Sequence, residues 1–298
     1  MDLFIEAPRF PSPGETVLGR NFSRACGGKG ANQAYAAARM GCPTALIGAI
    51  GEDAFGREMI EQLNAAGVDT IHVLRRANVC SGLAMIVLDA ARQNQIVVSS
   101  GANETLSRAD VEYCRGQITQ SDALLVQLET PIASVQAALE IARGAGKITV
   151  LNPAPFALLE DRLLQLCDFI IPNESEASLL SGISVHDWES AAAAARNIRN
   201  RTRGNVLVTL GANGVWLETH TATGRVPGFP VTATDTVGAG DTFIGAFVVR
   251  LVEGADIREA ARFACAAAAL AVTRRGAQCG IPTRAEVEEW LRHRAGTT

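Results

Sequence analysis

An α/β fold, built as a three-layer, doubly wound and mainly parallel sheet with a small β-strand lid, is predicted by three features of this 298-residue chain. From residue 44 onward, short apolar runs alternate with segments of helical period. Turns rich in glycine, asparagine or acid follow several of those runs, where a parallel sheet would present its carboxyl ends. Two stretches, about 2–26 and 80–100, break the alternation and supply the lid. The first holds Pro8, Pro11, Pro13, Gly14 and Gly19 with little helical period. The second reads as a hairpin of strands 81–88 and 96–99 joined by the polar residues 89–95.

Each element has its own signal. A helix over 31–40 starts from a glycine-rich turn. Residues 44–50 read as a strand, and 55–66 as a helix stopped by Gly67. Continuous apolar runs at 123–128, 148–151, 169–172, 206–210 and 215–217 read as buried strands, since a sheet covered on both faces needs no polar side. Helices are expected at 134–143, over the alanine-rich 188–199, and at 242–253, 257–273 and 284–292. No internal repeat or linker divides the chain, so one domain over 1–298 is expected.

Composition removes several function classes. Hydrophobic residues are 48% and charged residues 19%, the balance of a folded domain. A net charge of −4 disfavours a coat for nucleic acid or an anionic membrane. Aromatics at 5% give little surface for stacking bases. No apolar run approaches the ~20 residues of a membrane helix. Asp2 and Glu6 stand where an export signal would carry base, so a cytoplasmic protein is expected. Seven cysteines without a C-x-x-C pair fit a reducing compartment rather than a disulfide frame or zinc site.

The strongest chemical signal is Asp235-Thr236-Val237-Gly238-Ala239-Gly240-Asp241-Thr242-Phe243. Glycines let backbone N–H groups turn toward one point, and the following helix adds its positive end. That makes an anion cradle for a phosphoryl group in transit. Asp241, kept ionised by the helix field, is placed as a base for a hydroxyl nucleophile; as a plain alternative it caps the helix. The second signal is Gly27-Gly28-Lys29-Gly30-Ala31-Asn32-Gln33. Its glycines permit close approach to a small ligand, and Lys29 and Asn32 supply donors from one turn. Lys29 is conspicuous because only it and Lys147 are lysine among 27 basic residues. Three further turns end strands: Gln127-Leu128-Glu129; Pro172-Asn173-Glu174-Ser175-Glu176, with Asn173 and Glu176 offered to hydrated magnesium; and Thr209-Leu210-Gly211-Ala212-Asn213-Gly214, tight enough to approach a nucleotide. Their common position predicts one shared site.

With these motifs in place, the chain resembles the ribokinase-like carbohydrate kinase family from Asp2 to about Trp290. GGKGANQA and DTVGAGDTF are the two signatures, and QLETP, LNPAP, PNESEA, TLGANGVW and VTRRGAQ match the ribose-phosphorylating branch better than the adenosine, fructose or phosphofructose branches. The resemblance implies ATP-dependent transfer to the 5-hydroxyl of ribose, with 2-deoxyribose as the nearest rival and a catalytically silent sugar-binding or regulatory protein as a rival of another class. It implies Asp241 as base, with Gly238, Ala239 and Gly240 as anion hole. Asp2, Gly28, Lys29, Asn32, Glu129 and Asp241 would hold the sugar. Asn173, Thr209, Gly211, Gly214, Gly240 and Cys265 would line the ATP site, and Glu176 would organise magnesium indirectly. A monovalent cation, usually potassium, would rest on oxygens of Asp235, Val237, Ala271, Arg274, Gly276 and Gly280. A homodimer through the lid is implied as well. Three departures stand out. Ile244 replaces the usual asparagine after D-T-F. Gly280 carries no hydroxyl. Family members place a strand and an asparagine before the Asp2 position, so an upstream strand preceding Met1 is expected.

Overall fold

The computed structural model describes residues 1–91 and 93–295; Arg92, in the expected hairpin connection, and 296–298 lie outside it. The chain begins with β1 (Asp2–Glu6), β2 (Arg20–Ala25), α1 (Lys29–Arg39), β3 (Thr44–Ala45), β4 (Gly48–Gly51), α2 (Ala54–Ala65), β5 (Val68–Asp69) and β6 (Val73–Arg76). Strands β7 (Leu83–Leu88) and β8 (Asn94–Ser99) follow. Next come α3 (Arg108–Tyr113), α4 (Arg115–Gln120), β9 (Ala123–Val126), α5 (Ile132–Gly144), β10 (Ile148–Leu151), α6 (Asp161–Leu164), β11 (Phe169–Ile170), α7 (Glu174–Ser181) and α8 (Trp188–Arg201). The chain closes with β12 (Asn205–Thr209), β13 (Gly214–Glu218), β14 (Thr223–Pro227), α9 (Ala239–Val252), α10 (Ile257–Ala271) and α11 (Arg284–Ala295).

Six strands form the main sheet in the order β14-β13-β12-β11-β10-β9. Strands β9 to β12 are parallel, while β13 and β14 extend the sheet antiparallel. Side chains alternate between two buried faces. Leu151, Ile170, Val206 and Val208 pack into a core with α5 and α8. Val150, Phe169 and Leu207 pack into a second core with α9 and α10. Coverage of both faces is the physical reason these strands read as unbroken apolar runs.

The second sheet has four strands in the order β2-β1-β7-β8, with β1 and β7 parallel and the outer pairings antiparallel. Pairing sets Leu3, Met85 and Val97 on one face. That face is partly bare: Phe22, Met85 and Val97 are exposed, and every residue of β8 is exposed.

The expected strand 44–50 is interrupted. Its ends form β3 and β4, which pair in parallel with β5 and β6. Strands β5 and β6 are too short and too polar to show in an apolar pattern, and β14 (Thr-Gly-Arg-Val-Pro) is likewise hidden by composition. A cavity of about 1110 Å3 lies between the outer edge of β9 and residues 44–50, floored by Leu63, Leu124 and Val249 and reaching Asp2 and Glu129. Among the described residues no helix is long and apolar enough to cross a membrane.

Candidate active site

A tight glycine turn precedes α9. Gly238 adopts the left-handed conformation, φ 77°, as N-cap of α9, and a Cβ there would lie 2.8 Å from the Ala277 carbonyl oxygen. The N–H groups of Gly238, Gly240 and Asp241 have no acceptor among the described residues, while Ala239 N–H donates to Thr236 at 3.3 Å. The open donors of Gly240 and Asp241 lie in the first turn, where the helix dipole is positive and an anion is favoured. Asp241 does not cap the helix. The residue is 8% exposed, and its carboxylate turns toward α1 instead.

Two amides hold that carboxylate. Asn32 Nδ2 donates to Asp241 Oδ2 at 2.9 Å, and Gln33 Nε2 donates to Asp241 Oδ1 at 2.9 Å. Both can reach because α1 and α9 pack closely at Gly245, where a Cβ would sit 2.6 Å from Ala36 Cβ and 2.8 Å from the Gln33 carbonyl oxygen. Burial raises the Asp241 pKa above the ordinary aspartate value, opposed by the Lys29 charge and by both amide donors.

Three more carboxylates share its surroundings. Asp2 projects from the start of β1 against Gly27, where a Cβ would lie 2.3 Å from Asp2 Oδ2, so only glycine leaves room for it. Gly28, φ 94°, turns the chain so that Lys29 N–H donates to Glu129 Oε2 at 2.7 Å. Burial raises the pKa of Asp2 and of Glu129, and the charge of Asp241 pushes each further up. Burial also raises Glu176, which feels Lys29 and Asp241. Lys29 is thus the cation common to Asp241, Glu129 and Glu176.

The remaining predicted residues fall into two groups. Asn173 and Glu176 engage each other in a capping box at α7: Asn173 Oδ1 accepts from Glu176 N–H at 2.9 Å, and Glu176 Oε2 accepts from Asn173 N–H at 2.9 Å. Thr209 bridges to Asn173, and the Gly211 turn, φ 50°, approaches Glu174. Gly214, φ 109°, is pressed against β14, with a Cβ position 2.2 Å from the Val226 carbonyl oxygen. Cys265 is buried in the α9–α10 core, its thiol pushed up to about 12 by burial.

The second group joins two loops. Gly276 N–H donates to Asp235 Oδ2 at 2.9 Å, and Asp235 Oδ1 accepts from Val237 N–H. Gly280 leaves a cradle: a Cβ there would meet the Gly276 carbonyl oxygen at 2.8 Å and that of Ala271 at 3.2 Å. Arg274 is tied to α11 through Glu286, whose pKa it lowers to about 2. Ile244 is buried in the core, 3% exposed, which accounts for an apolar residue at that position.

Sequence reasoning missed Gln33, Gln127, Asn152 and Gln278 as site residues. Each is an amide at the end of an apolar strand or within a motif already singled out. Their signal was a polar residue where burial is forced.

A parallel sheet, a helix start with open N–H donors and a buried carboxylate held by amides suit phosphoryl transfer to a small hydroxylated substrate. Residues 1–284 match the pfkB family carbohydrate kinase model, and the chain belongs to that family of sugar kinases. It is similar to a ribokinase of Haemophilus influenzae, 46% identical over 98% of this chain and 95% of the relative. It is also similar to a deoxyribokinase of Salmonella typhimurium, 35% identical over 98% and 95%. Among solved structures, the Arabidopsis thaliana ribokinase complexed with ribose and ATP superposes with TM-score 0.90, at 32% identity over 97% of this chain and 95% of that one.

Proposed function

We propose that this kinase transfers the γ-phosphoryl group of ATP to the 5-hydroxyl of D-ribose, with Asp241 as base. The observation that carries this reading is the Asp241 carboxylate, buried and held by Asn32 and Gln33 beside the open N–H groups of Gly240 and Asp241. Asp241 takes the hydroxyl proton, the freed oxygen forms its bond to the γ-phosphorus, and the bond to ADP breaks in line. Negative charge on the phosphoryl oxygens meets the Gly238–Gly240 turn, the α9 N-terminus and Lys29. Asp2, Gly28, Lys29, Asn32 and Glu129 hold the sugar, and Asn173, Thr209, Gly211, Gly214, Gly240 and Cys265 line the nucleotide side. Ribose is favoured over 2-deoxyribose by the higher identity to the ribokinase relative.

Magnesium accompanying ATP supplies charge neutralisation when bound, and the oxygens of Asn173 and Glu176 suit such a hard cation. The carbonyl cradle of Ala271 and Gly276 at Gly280, closed by Asp235, Val237 and Arg274, fits potassium on main-chain oxygens. The four-stranded sheet acts as lid, within one domain over the whole chain. Its exposed apolar face at Phe22, Met85 and Val97 supports a homodimer. Seven free thiols are consistent with the cytoplasm.

The test is Asp241→Asn, which keeps shape and removes the base. Ribose and ATP still bind by calorimetry, while turnover falls roughly a hundredfold or more. Near-normal turnover would show that another group takes the proton.

A further inference from the structure

Asp241 is the end point of two chains of amides that run in one direction. In the first, Gln62 Nε2 on α2 donates to Gln278 Oε1 at 2.8 Å, and Gln278 Nε2 donates to Asn32 Oδ1 at 3.0 Å. Asn32 then donates to Asp241 Oδ2. In the second, Gln127 Nε2 donates to Gln33 Oε1, and Gln33 donates to Asp241 Oδ1. Gln33 also donates to Asn152 Oδ1 at 3.1 Å, and Asn152 is fixed by donating to the Ile171 carbonyl at 3.0 Å. Gln33, Asn32 and Gln278 are 1%, 5% and 2% exposed, so water cannot readily replace a lost partner.

A primary amide has a donor end and an acceptor end of nearly equal size. Nothing in Asn32 itself decides which end faces Asp241. Turned over, it would set Oδ1 against a carboxylate, two acceptors in contact within a buried site. The N–H of Gln278 occupies Asn32 Oδ1 and so leaves only Nδ2 for the base. Gln62 does the same for Gln278, by occupying its oxygen.

We propose that Gln278 is a positioning residue for this kinase: by donating to Asn32 it fixes the polarity of that amide, and through it the orientation of the Asp241 carboxylate. Gln278 touches neither Asp241 nor the cradle of N–H groups by any hydrogen bond, so its influence passes through Asn32. The proposal rests on the reading of Asp241 as the base.

The test is Gln278→Met, which keeps length and removes both hydrogen bonds, made in the whole chain and again in an Asn32→Ala background. In the native background kcat falls about tenfold while ribose KM changes less than about threefold, the scale of one buried hydrogen bond lost at the reacting group. In the Asn32→Ala background the same change alters kcat by less than about twofold, because the route through Asn32 is already cut. A structural role would give equal losses in both backgrounds, and that result, or no loss in the native background, overturns the proposal. A second readout needs no turnover: the carboxyl-carbon resonance of Asp241 titrates at higher pH in Gln278→Met, since the ionised form has lost a fixed donor, and this shift is absent once Asn32 is alanine. Lys29, Asp2, Glu129 and Glu176, the charged groups acting around Asp241, are the same in every member of the comparison. Unchanged titration in Gln278→Met overturns the positioning role. Absence of ribose turnover by the native chain counts against the assigned substrate instead, and the titration still decides the role of Gln278.

Discussion

The two ends of the proposed sugar site are built differently. At one end Asp241 sits on α9, deep in the core, with both oxygens hydrogen-bonded and its helix locked to α1 at Gly245. At the other end Asp2 opens β1, a strand of the small sheet whose neighbour β2 is exposed along most of its length. Below it lies the cavity between β9 and residues 44–50. The proposed base is therefore placed by helix–helix packing, whereas the proposed sugar grip depends on an element with little of its own core. The contrast predicts that damage at the base end appears in kcat and damage at the grip appears in KM.

The largest separation is expected for Asp2→Asn. Losing a charged partner for a sugar hydroxyl costs about 1.5–3 kcal/mol, so ribose KM rises roughly ten- to a hundredfold with a smaller change in kcat. Steady-state kinetics checks this, and a kcat loss exceeding the KM rise would erase the distinction. Gly245→Ala attacks the other end. Its methyl meets Ala36 and the Gln33 carbonyl, so stability falls by about 1–3 kcal/mol through overpacking. Displacement of Gln33 lowers kcat several-fold with ribose KM nearly unchanged. Denaturant unfolding and kinetics together measure it.

A smaller effect sharpens the electrostatic side. Glu129 has its pKa raised by burial and by the charges of Asp241 and Asp2. A carboxylate whose folded pKa lies above its unfolded one costs stability once ionised. Its contribution is most favourable below the unfolded value and declines as pH rises through the folded one. Glu129→Gln should therefore melt higher than the native chain near neutral pH, by roughly 1–3 °C, and lose that advantage as pH falls toward the ordinary glutamate range. Its ribose affinity drops, the usual exchange of function for stability. Glu286 has the opposite sign. Held at about 2 by Arg274 and by Thr283, it stabilises above its unfolded pKa, and that contribution is lost as pH falls through about 2. Melting curves across pH separate the two cases: a Glu129→Gln advantage that grew on acidification would contradict the burial argument.

Much of this was legible before the structure. Apolar runs marked β9 to β13 because both of their faces are covered, and the two glycine-rich motifs marked the candidate site because only particular turns need φ above zero. Strands β5, β6 and β14 were not legible, since their pairing comes from neighbours distant in sequence rather than from their own composition. Asn32 was legible as a donor, but its contact with Asp241 spans 209 positions. Gln33, Gln127 and Gln278 were hidden for the same reason: an amide's role is set by what faces it, and a helical period does not say which polar residue is buried. The burial that raises the Asp241 pKa was not legible either, since it comes from tertiary packing rather than from the motif itself.

The central claim is the identity of the acceptor. ADP release measured with ribose, 2-deoxyribose, fructose and adenosine at matched concentrations, with phosphorus NMR of the product, tests it most directly. The account predicts the highest kcat/KM for ribose and phosphate on its 5-oxygen; a higher kcat/KM for adenosine or fructose, or phosphate on another oxygen, would contradict it.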